Sequence, residues 1–245
     1  MKVTIVGTWG AYPEVNSATS SILVEEGGFN LLVDCGSGVL SQLQNHISLS
    51  QLDGLIVSHY HNDHIADIGC LQYYFLIQNQ SGKISKLPFP IYGHNNDSNA
   101  FNKLTFNNIT MGYEISENST INIGPFQVSF CPTVHPVYGL SIKFKVHDKV
   151  LIYTGDTEWT DQLVEFSKDA DVLICEANLY NEQLGKVKGH LTAGQAGELA
   201  EIAGVNQLIL THLPHDNNHH LLVEQAKERF NGDVKLAKPG LVINL

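Results

Sequence analysis

The sequence predicts an α/β fold: two packed mixed sheets with helices on both outer faces, built as one domain over residues 1–245. Three observations carry this. The first half is rich in short β-branched runs separated by glycine turns. The second half alternates four-residue apolar runs with segments of helical periodicity, the pattern of strands covered by helices. Nothing resembling a linker, a low-complexity tract or a short repeat interrupts the 245 residues, and 43% hydrophobic content is enough for a large single core.

Element by element, Val3–Val6 opens as an apolar strand. Ser20–Glu25 and Asn30–Asp34 pair around the Gly27-Gly28 turn, and Gly38–Asn45 follows as a short helix. Leu55-Ile56-Val57 is wholly apolar, as a strand buried on both faces must be. Ile65 to Asn79 reads as one helix, with Ile68, Leu71, Gln72 and Phe75 at helical spacing and Tyr73, Tyr74 and Phe75 read as core. Pro88–Gly93 is a strand, and Asn95–Asn108 is polar and rich in asparagine. Strands return at Thr120–Ile123, Phe126–Cys131, Leu140–Val146 and Val150–Tyr153. Then come helix Thr160–Ser167, strand Val172–Cys175, helix Thr192–Ala203, strand Gln207–Leu210, helix Leu221–Phe230 and strand Leu241–Ile243.

Composition narrows the function. Twenty-five acids against 14 bases give a formal charge of −11, and Arg229 is the single arginine. Affinity for a phosphate backbone scales with the cations placed against it, so long nucleic acid is not an expected partner. No run approaches the ~18–20 apolar residues of a membrane span. Met1–Gly7 lacks a signal-peptide pattern, and Cys35, Cys70, Cys131 and Cys175 show no paired spacing; both favour a reducing cytoplasm.

Twelve histidines nearly equal the bases in number, and the sharpest cluster is Ser58-His59-Tyr60-His61-Asn62-Asp63-His64. Neutral imidazole and carboxylate suit zinc and other first-row metals. Four such side chains directly after a buried strand can converge without a long loop. A lone His-x-His would be a solvated turn; the full run is not. Elsewhere the residues leave alternatives open. His135 alone is an ordinary loop histidine. Asp156, after an apolar strand and a glycine, is either a carboxylate bridging two cations or a helix N-cap. Asp34 is either a strand-end turn residue or an acceptor for a ligand imidazole.

His59-x-His61-x-Asp63-His64 resembles the signature of the metallo-β-lactamase superfamily. Gly7-Thr8-Trp9-Gly10-Ala11-Tyr12-Pro13, Ser20–Val24 and Leu32–Gly38 resemble the N-terminal pattern of its ribonuclease Z branch. The resemblance runs the length of the chain and implies a four-layer αββα sandwich. It further implies His59, His61 and His135 on one metal ion, Asp63, His64 and His212 on a second, and Asp156 between them. His190, in Gly189-His190-Leu191-Thr192-Ala193, resembles the family's His-Ser-Thr segment, with Leu191 in place of the serine.

Such a site implies two divalent ions per chain, zinc first, with manganese or iron as alternatives. It implies hydrolysis by a metal-bound hydroxide, with Asp63 and His190 as catalytic groups. A small phosphodiester, a cyclic nucleotide or short oligonucleotide, is the expected substrate. Full tRNA 3′-end processing is disfavoured. The stretch between His135 and Asp156 is too short for the tRNA-gripping arm, and Leu213-Pro214-His215 follows His212 where the family has an arginine. A lactone or thioester hydrolase is the alternative enzyme. An inactive binding protein would have no reason to keep seven polar groups poised for desolvation. A flavin-linked di-iron protein would need more carboxylates and more chain. A homodimer is the expected assembly. His94, His215, His219 and His220 have no assigned role, although the last three can line the mouth of the site.

Overall fold

A computed structural model describes every residue except Ser85, Asp216 and Asn217. The strands are β1 Lys2–Gly7, β2 Ser21–Glu26, β3 Phe29–Val33, β4 Gly54–Ile56, β5 Phe89–Gly93, β6 Thr110–Glu114, β7 Thr120–Ile123, β8 Phe126–Pro132, β9 Leu140–Val146, β10 Lys149–Tyr153, β11 Val172–Glu176, β12 Gln207–Thr211, β13 Asp233–Leu236 and β14 Val242–Asn244. The helices are α1 Val39–Leu43, α2 Asn62–Ile65, α3 Ile68–Gln80, α4 Ser98–Asn102, α5 Asp161–Phe166, α6 Ala193–Ile202 and α7 His219–Lys227.

Two seven-stranded sheets result, ordered β14-β1-β2-β3-β4-β5-β6 and β13-β12-β11-β10-β9-β8-β7. Each is mixed in the same way. Antiparallel pairs join β14 to β3 and β7 to β10; parallel pairs join β3 to β6 and β10 to β13. The tight turn at Gly27 and Gly28, both with positive φ, closes the β2–β3 hairpin with the geometry that glycine permits at no steric cost.

Three apolar layers hold the sandwich. Val3, Ile5, Val33, Phe126, Phe144 and Tyr153 fill the space between the sheets. Leu23, Leu32 and Leu55 meet Val39, Leu43, Leu71 and Phe75 of α1 and α3 on one outer face. Leu173, Cys175, Leu208 and Leu210 meet Leu199 and Leu222 of α6 and α7 on the other. Central strands such as β11 are covered on both faces, which is why they read as unbroken apolar runs. This is the predicted αββα arrangement. Among the described residues no helix is long and apolar enough to cross a membrane.

Three expectations need correction. The helix expected from Ile65 to Asn79 is two helices, α2 and α3. The chain breaks between them because the backbone of Cys35 takes it over: Cys35 N–H donates to His64 O at 2.8 Å and Asp67 N–H donates to Cys35 O at 3.0 Å. On α3, Phe75 is buried as expected, but Tyr73 is 59% exposed and does not belong to the core. Finally, the sequence reading missed β6 and β13, both partly exposed edge strands without an apolar run, and α4, whose first turn Asp97 caps by accepting from Ala100 N–H at 3.0 Å.

Candidate metal centre

The candidate ligands sit where strands end. Asp34 follows β3, the His59–His64 run follows β4, Asp156 follows β10 and His212 follows β12, while His135 lies in the β8–β9 connection. Carboxyl ends of parallel strands are the natural binding rim of an α/β sheet. Here the two sheets bring their rims together.

Placement of the run from Ser58 to His64 begins with Asp34. Its carboxylate accepts from Ser58 N–H at 2.7 Å, from Ser58 Oγ at 2.8 Å and from Tyr153 Oη at 3.0 Å, and His64 Nδ1–H donates to it at 2.7 Å. Every one of those groups is buried. Asp34 therefore fixes both the backbone before the run and the ring that ends it. Gly36 completes the fit, since a Cβ there would fall 1.6 Å from Asp63 O.

Two sets of donor atoms converge. In the first, His61 Nδ1 lies 3.2 Å from His59 Nε2 and 2.9 Å from His135 Nε2. Asp156 Oδ2 lies 3.6 Å and 3.8 Å from the His59 and His135 nitrogens. In the second, His212 Nε2 is 3.3 Å from Asp63 Oδ2 and 3.2 Å from Asp156 Oδ2. His64 Nε2 is 3.5 Å from Asp63 Oδ2 and 3.4 Å from Asp156 Oδ1. A tetrahedral ion with ligand bonds of about 2.0–2.1 Å spaces its ligand atoms roughly 3.3 Å apart, so both sets have the dimensions of a cation's ligand shell. Asp156 belongs to both.

Unpartnered atoms and charge support the same fit. His64 Nε2 and Asp156 Oδ1 are buried and have no hydrogen-bond partner among the described residues. Burial and the neighbouring imidazole of His64 push His59 far down, and burial and the nearby His135 lower His61, which favours the neutral form that a metal requires. His64 moves the other way. Burial opposes its protonation, but Asp156 and Asp34 outweigh it and hold the ring's proton tightly. Burial would raise the Asp63 and Asp156 carboxyls, yet the surrounding histidines keep both well below the usual carboxylate range. Three carboxylates packed at this depth demand positive charge, and a divalent cation meets that demand more fully than a proton.

A functional residue outside the sequence reading is Glu176, the last residue of β11. Its Oε1 accepts from Thr157 N–H at 2.8 Å and from His190 Nδ1–H at 2.9 Å; its Oε2 accepts from Leu191 N–H at 3.1 Å and Asn178 N–H at 3.3 Å. Two residues after His190 the capping box of α6 begins, where Thr192 Oγ1 accepts from Gln195 N–H and Gln195 Oε1 accepts from Thr192 N–H. The His190 ring stacks on His212 at 5.3 Å and meets His135 at 5.1 Å. Burial would lower His190, but Glu176 overrides this and pushes it up to about 9. The only signal for Glu176 in the sequence is a carboxylate ending an apolar strand.

All seven predicted ligands, together with His190, thus meet at one rim. The four histidines without an assigned role divide. His220 is exposed on α7 and makes no hydrogen bond or ring contact with the site among the described residues. His94 is buried away from the donor sets, between Tyr60 and Tyr138. His215 and His219 pack around Trp9 at the edge of the site.

Comparison with known proteins identifies the family. A model of the beta-lactamase superfamily domain matches residues 29–213. The Bacillus subtilis protein named "Probable metallo-hydrolase YhfI" is 43% identical over 242 residues, spanning 99% of both chains. The crystal structure of the metallo-beta-lactamase fold protein YhfI superposes with a TM-score of 0.96 at 42% identity, over 99% of this chain and 98% of that one. Ribonuclease Z of Haloarcula marismortui is 27% identical over 298 residues, spanning 98% of this chain and 96% of that protein. The short form of human tRNase Z shares the fold, with a TM-score of 0.78 at 21% identity over 100% of this chain and 99% of that one. With a metallo-hydrolase homologue along its whole length and a His/Asp cluster able to hold divalent metal, this chain belongs to the beta-lactamase superfamily, in its metallo-β-lactamase fold.

Proposed function

We propose that the protein is a dinuclear metal-dependent hydrolase of small phosphodiesters, with cyclic nucleotides or short oligonucleotides as the substrate class. His59, His61, His135 and Asp156 would hold one divalent cation and Asp63, His64, His212 and Asp156 the other, zinc being the first candidate. Divalent cations in such sites would polarise a substrate oxygen and lower the pKa of bound water to about 7.

The observation that carries the reading is an imidazole held beside the two donor sets: His190 Nδ1–H donates to Glu176 Oε1 at 2.9 Å and the ring stacks on His212 at 5.3 Å. A phosphodiester places anionic oxygens and a poor leaving group in the site, and His190 can hold the first and protonate the second. Asp63, ionised and anchored by Ala11 N–H at 2.9 Å, is placed to orient an attacking water.

The size of the substrate follows from what surrounds the rim. Between His135 and Asp156 the chain is spent on β9, the turn at His147 and Asp148, and β10, which leaves nothing for a tRNA-gripping arm. Two of that hairpin's three lysines are engaged elsewhere, Lys143 over the Phe166 ring at 4.4 Å and Lys149 with Asp171 at 3.2 Å. Similarity to ribonuclease Z supports phosphodiester chemistry; the missing arm and the −11 charge support a short substrate.

Metal analysis of the purified protein, followed by turnover assays on bis-p-nitrophenyl phosphate, cyclic nucleotides, precursor tRNA and lactones, tests this reading. Close to two ions per chain and turnover of the small phosphodiesters are expected. Turnover of lactones alone would overturn it.

A further inference from the structure

The segment Trp9–Tyr12 crosses the candidate metal centre and then leaves it. It is pinned to the chain after His212, with Gly10 N–H donating to Leu213 O at 3.1 Å and Leu213 N–H donating to Thr8 O at 2.8 Å. Ala11 N–H donates to Asp63 Oδ2 at 2.9 Å. Ala11 adopts φ +60°, and Tyr12 N–H closes a three-residue turn on Gly10 O at 2.7 Å. A non-glycine residue in this region is strained, and such strain persists where the surroundings impose it, often beside functional sites. Its effect here is to direct the Ala11 amide at the metal-ligating carboxylate and to swing the next side chain outward.

That side chain lies flat on a ring. Tyr12 stacks on His215 with centroids 3.6 Å apart and planes within 3°, and His215 stacks on Trp9 at 4.9 Å and 13°. Trp9 is braced by His219 at 5.3 Å. The imidazoles are themselves fixed, His215 Nε2–H donating to Gly10 O at 3.1 Å and His219 Nε2–H to Pro214 O at 2.7 Å. Three nearly parallel rings therefore form a column whose inner end is anchored in the protein. The outermost ring, Tyr12, is 58% exposed, and its ring stacks on no other ring among the described residues.

We propose that the open face of Tyr12 is a docking site for a nucleobase of the substrate, which extends the Tyr12–His215–Trp9 column by one ring beside the metal centre. The inference rests on the phosphodiester reading above and adds what that reading lacks, a contact that separates nucleotides from other phosphate esters. Stacking of a base on an aromatic side chain is tolerant of base identity, so the site selects for a base without selecting which one. Tyr12 here is a binding group; the reacting atoms remain with Asp63 and His190.

Calorimetric titration of the metal-loaded protein with AMP, and with ribose 5-phosphate as the probe lacking a base, tests this without requiring turnover. AMP should bind more tightly than ribose 5-phosphate to the natural protein. Tyr12→Ala should raise the AMP dissociation constant roughly 5- to 100-fold while leaving that of ribose 5-phosphate in place, and Tyr12→Phe, which keeps the ring, should restore AMP binding. Equal binding of the two probes, or loss of both in Tyr12→Ala, would overturn the docking site. Selective AMP binding without turnover of bis-p-nitrophenyl phosphate, cyclic nucleotides or short oligonucleotides would instead refute the phosphodiesterase reading and leave the docking site standing.

Discussion

Nδ1 of His64 donates to Oδ2 of Asp34 across 2.7 Å between two side chains that are both fully buried. The bond fixes the His64 tautomer and turns Nε2 toward Asp63 and Asp156. Asp34 itself sits at φ +58°, a conformation asparagine shares with aspartate, so Asp34→Asn removes the charge without new backbone strain. Metal affinity should fall roughly 10- to 100-fold, most in the donor set that contains His64, because Asp34 reaches the other set only through Ser58 Oγ and His59 Nδ1. Metal content after exhaustive dialysis, compared between the two proteins, measures it.

The contact between Glu176 and His190 makes a different prediction. His190→Ala should lower kcat by roughly 10²- to 10⁴-fold, the range expected for loss of a general acid, with metal content retained. Glu176→Gln should lower kcat in the same direction, because the amide no longer holds a proton on His190. Loss of metal in either variant would show these residues to be ligands and not proton carriers.

Gly10 predicts a steric effect on the site. A Cβ at this position would lie 2.6 Å from Asn178 Nδ2 and 2.8 Å from His212 Cε1. Gly10→Ala should displace the His212 ring, costing about 1–3 kcal/mol of stability and weakening the donor set that contains it. Thermal denaturation with and without added zinc separates the two effects: the variant should gain less from zinc than the natural protein does.

His94 governs a pH effect away from the metal centre. It lies buried between Tyr60, at 4.3 Å, and Tyr138, at 4.8 Å, and burial pushes it down to about 4 from an ordinary value near 6.5. Above pH 6.5 the ring is neutral both folded and unfolded and has no effect on stability. As pH falls from 6.5 toward 4 the unfolded chain takes up the proton first, so stability is lost through that window and levels off below it. The loss should reach about 3 kcal/mol. His94→Phe should abolish it, visible as the difference between the two proteins' denaturant midpoints from pH 7 to pH 4 in the presence of chelator.

How much of this was written legibly in the chain depended on contiguity. The run from His59 to His64 announced itself because four ligand types stand side by side after a strand buried on both faces. Glu176 did not, because its importance comes from register: β11 pairs with β12 so that Glu176 stands opposite Thr211, one residue before His212, while the loop before α6 brings His190 over it. The split between α2 and α3 was equally hidden, since the backbone of Cys35, remote in sequence, supplies the hydrogen bonds that cause it. Edge strands β6 and β13 lacked the apolar pattern because their outer sides face water.

The donor atoms come from both halves of the sandwich, His59 to His64 from the rim of the first sheet and His135, Asp156 and His212 from that of the second. A cation held there would act as a staple across the layers, since the sheets could not part without breaking its coordination. Amide hydrogen exchange in β4 and in β12 should therefore slow together on metal loading, although no hydrogen bond joins those two strands.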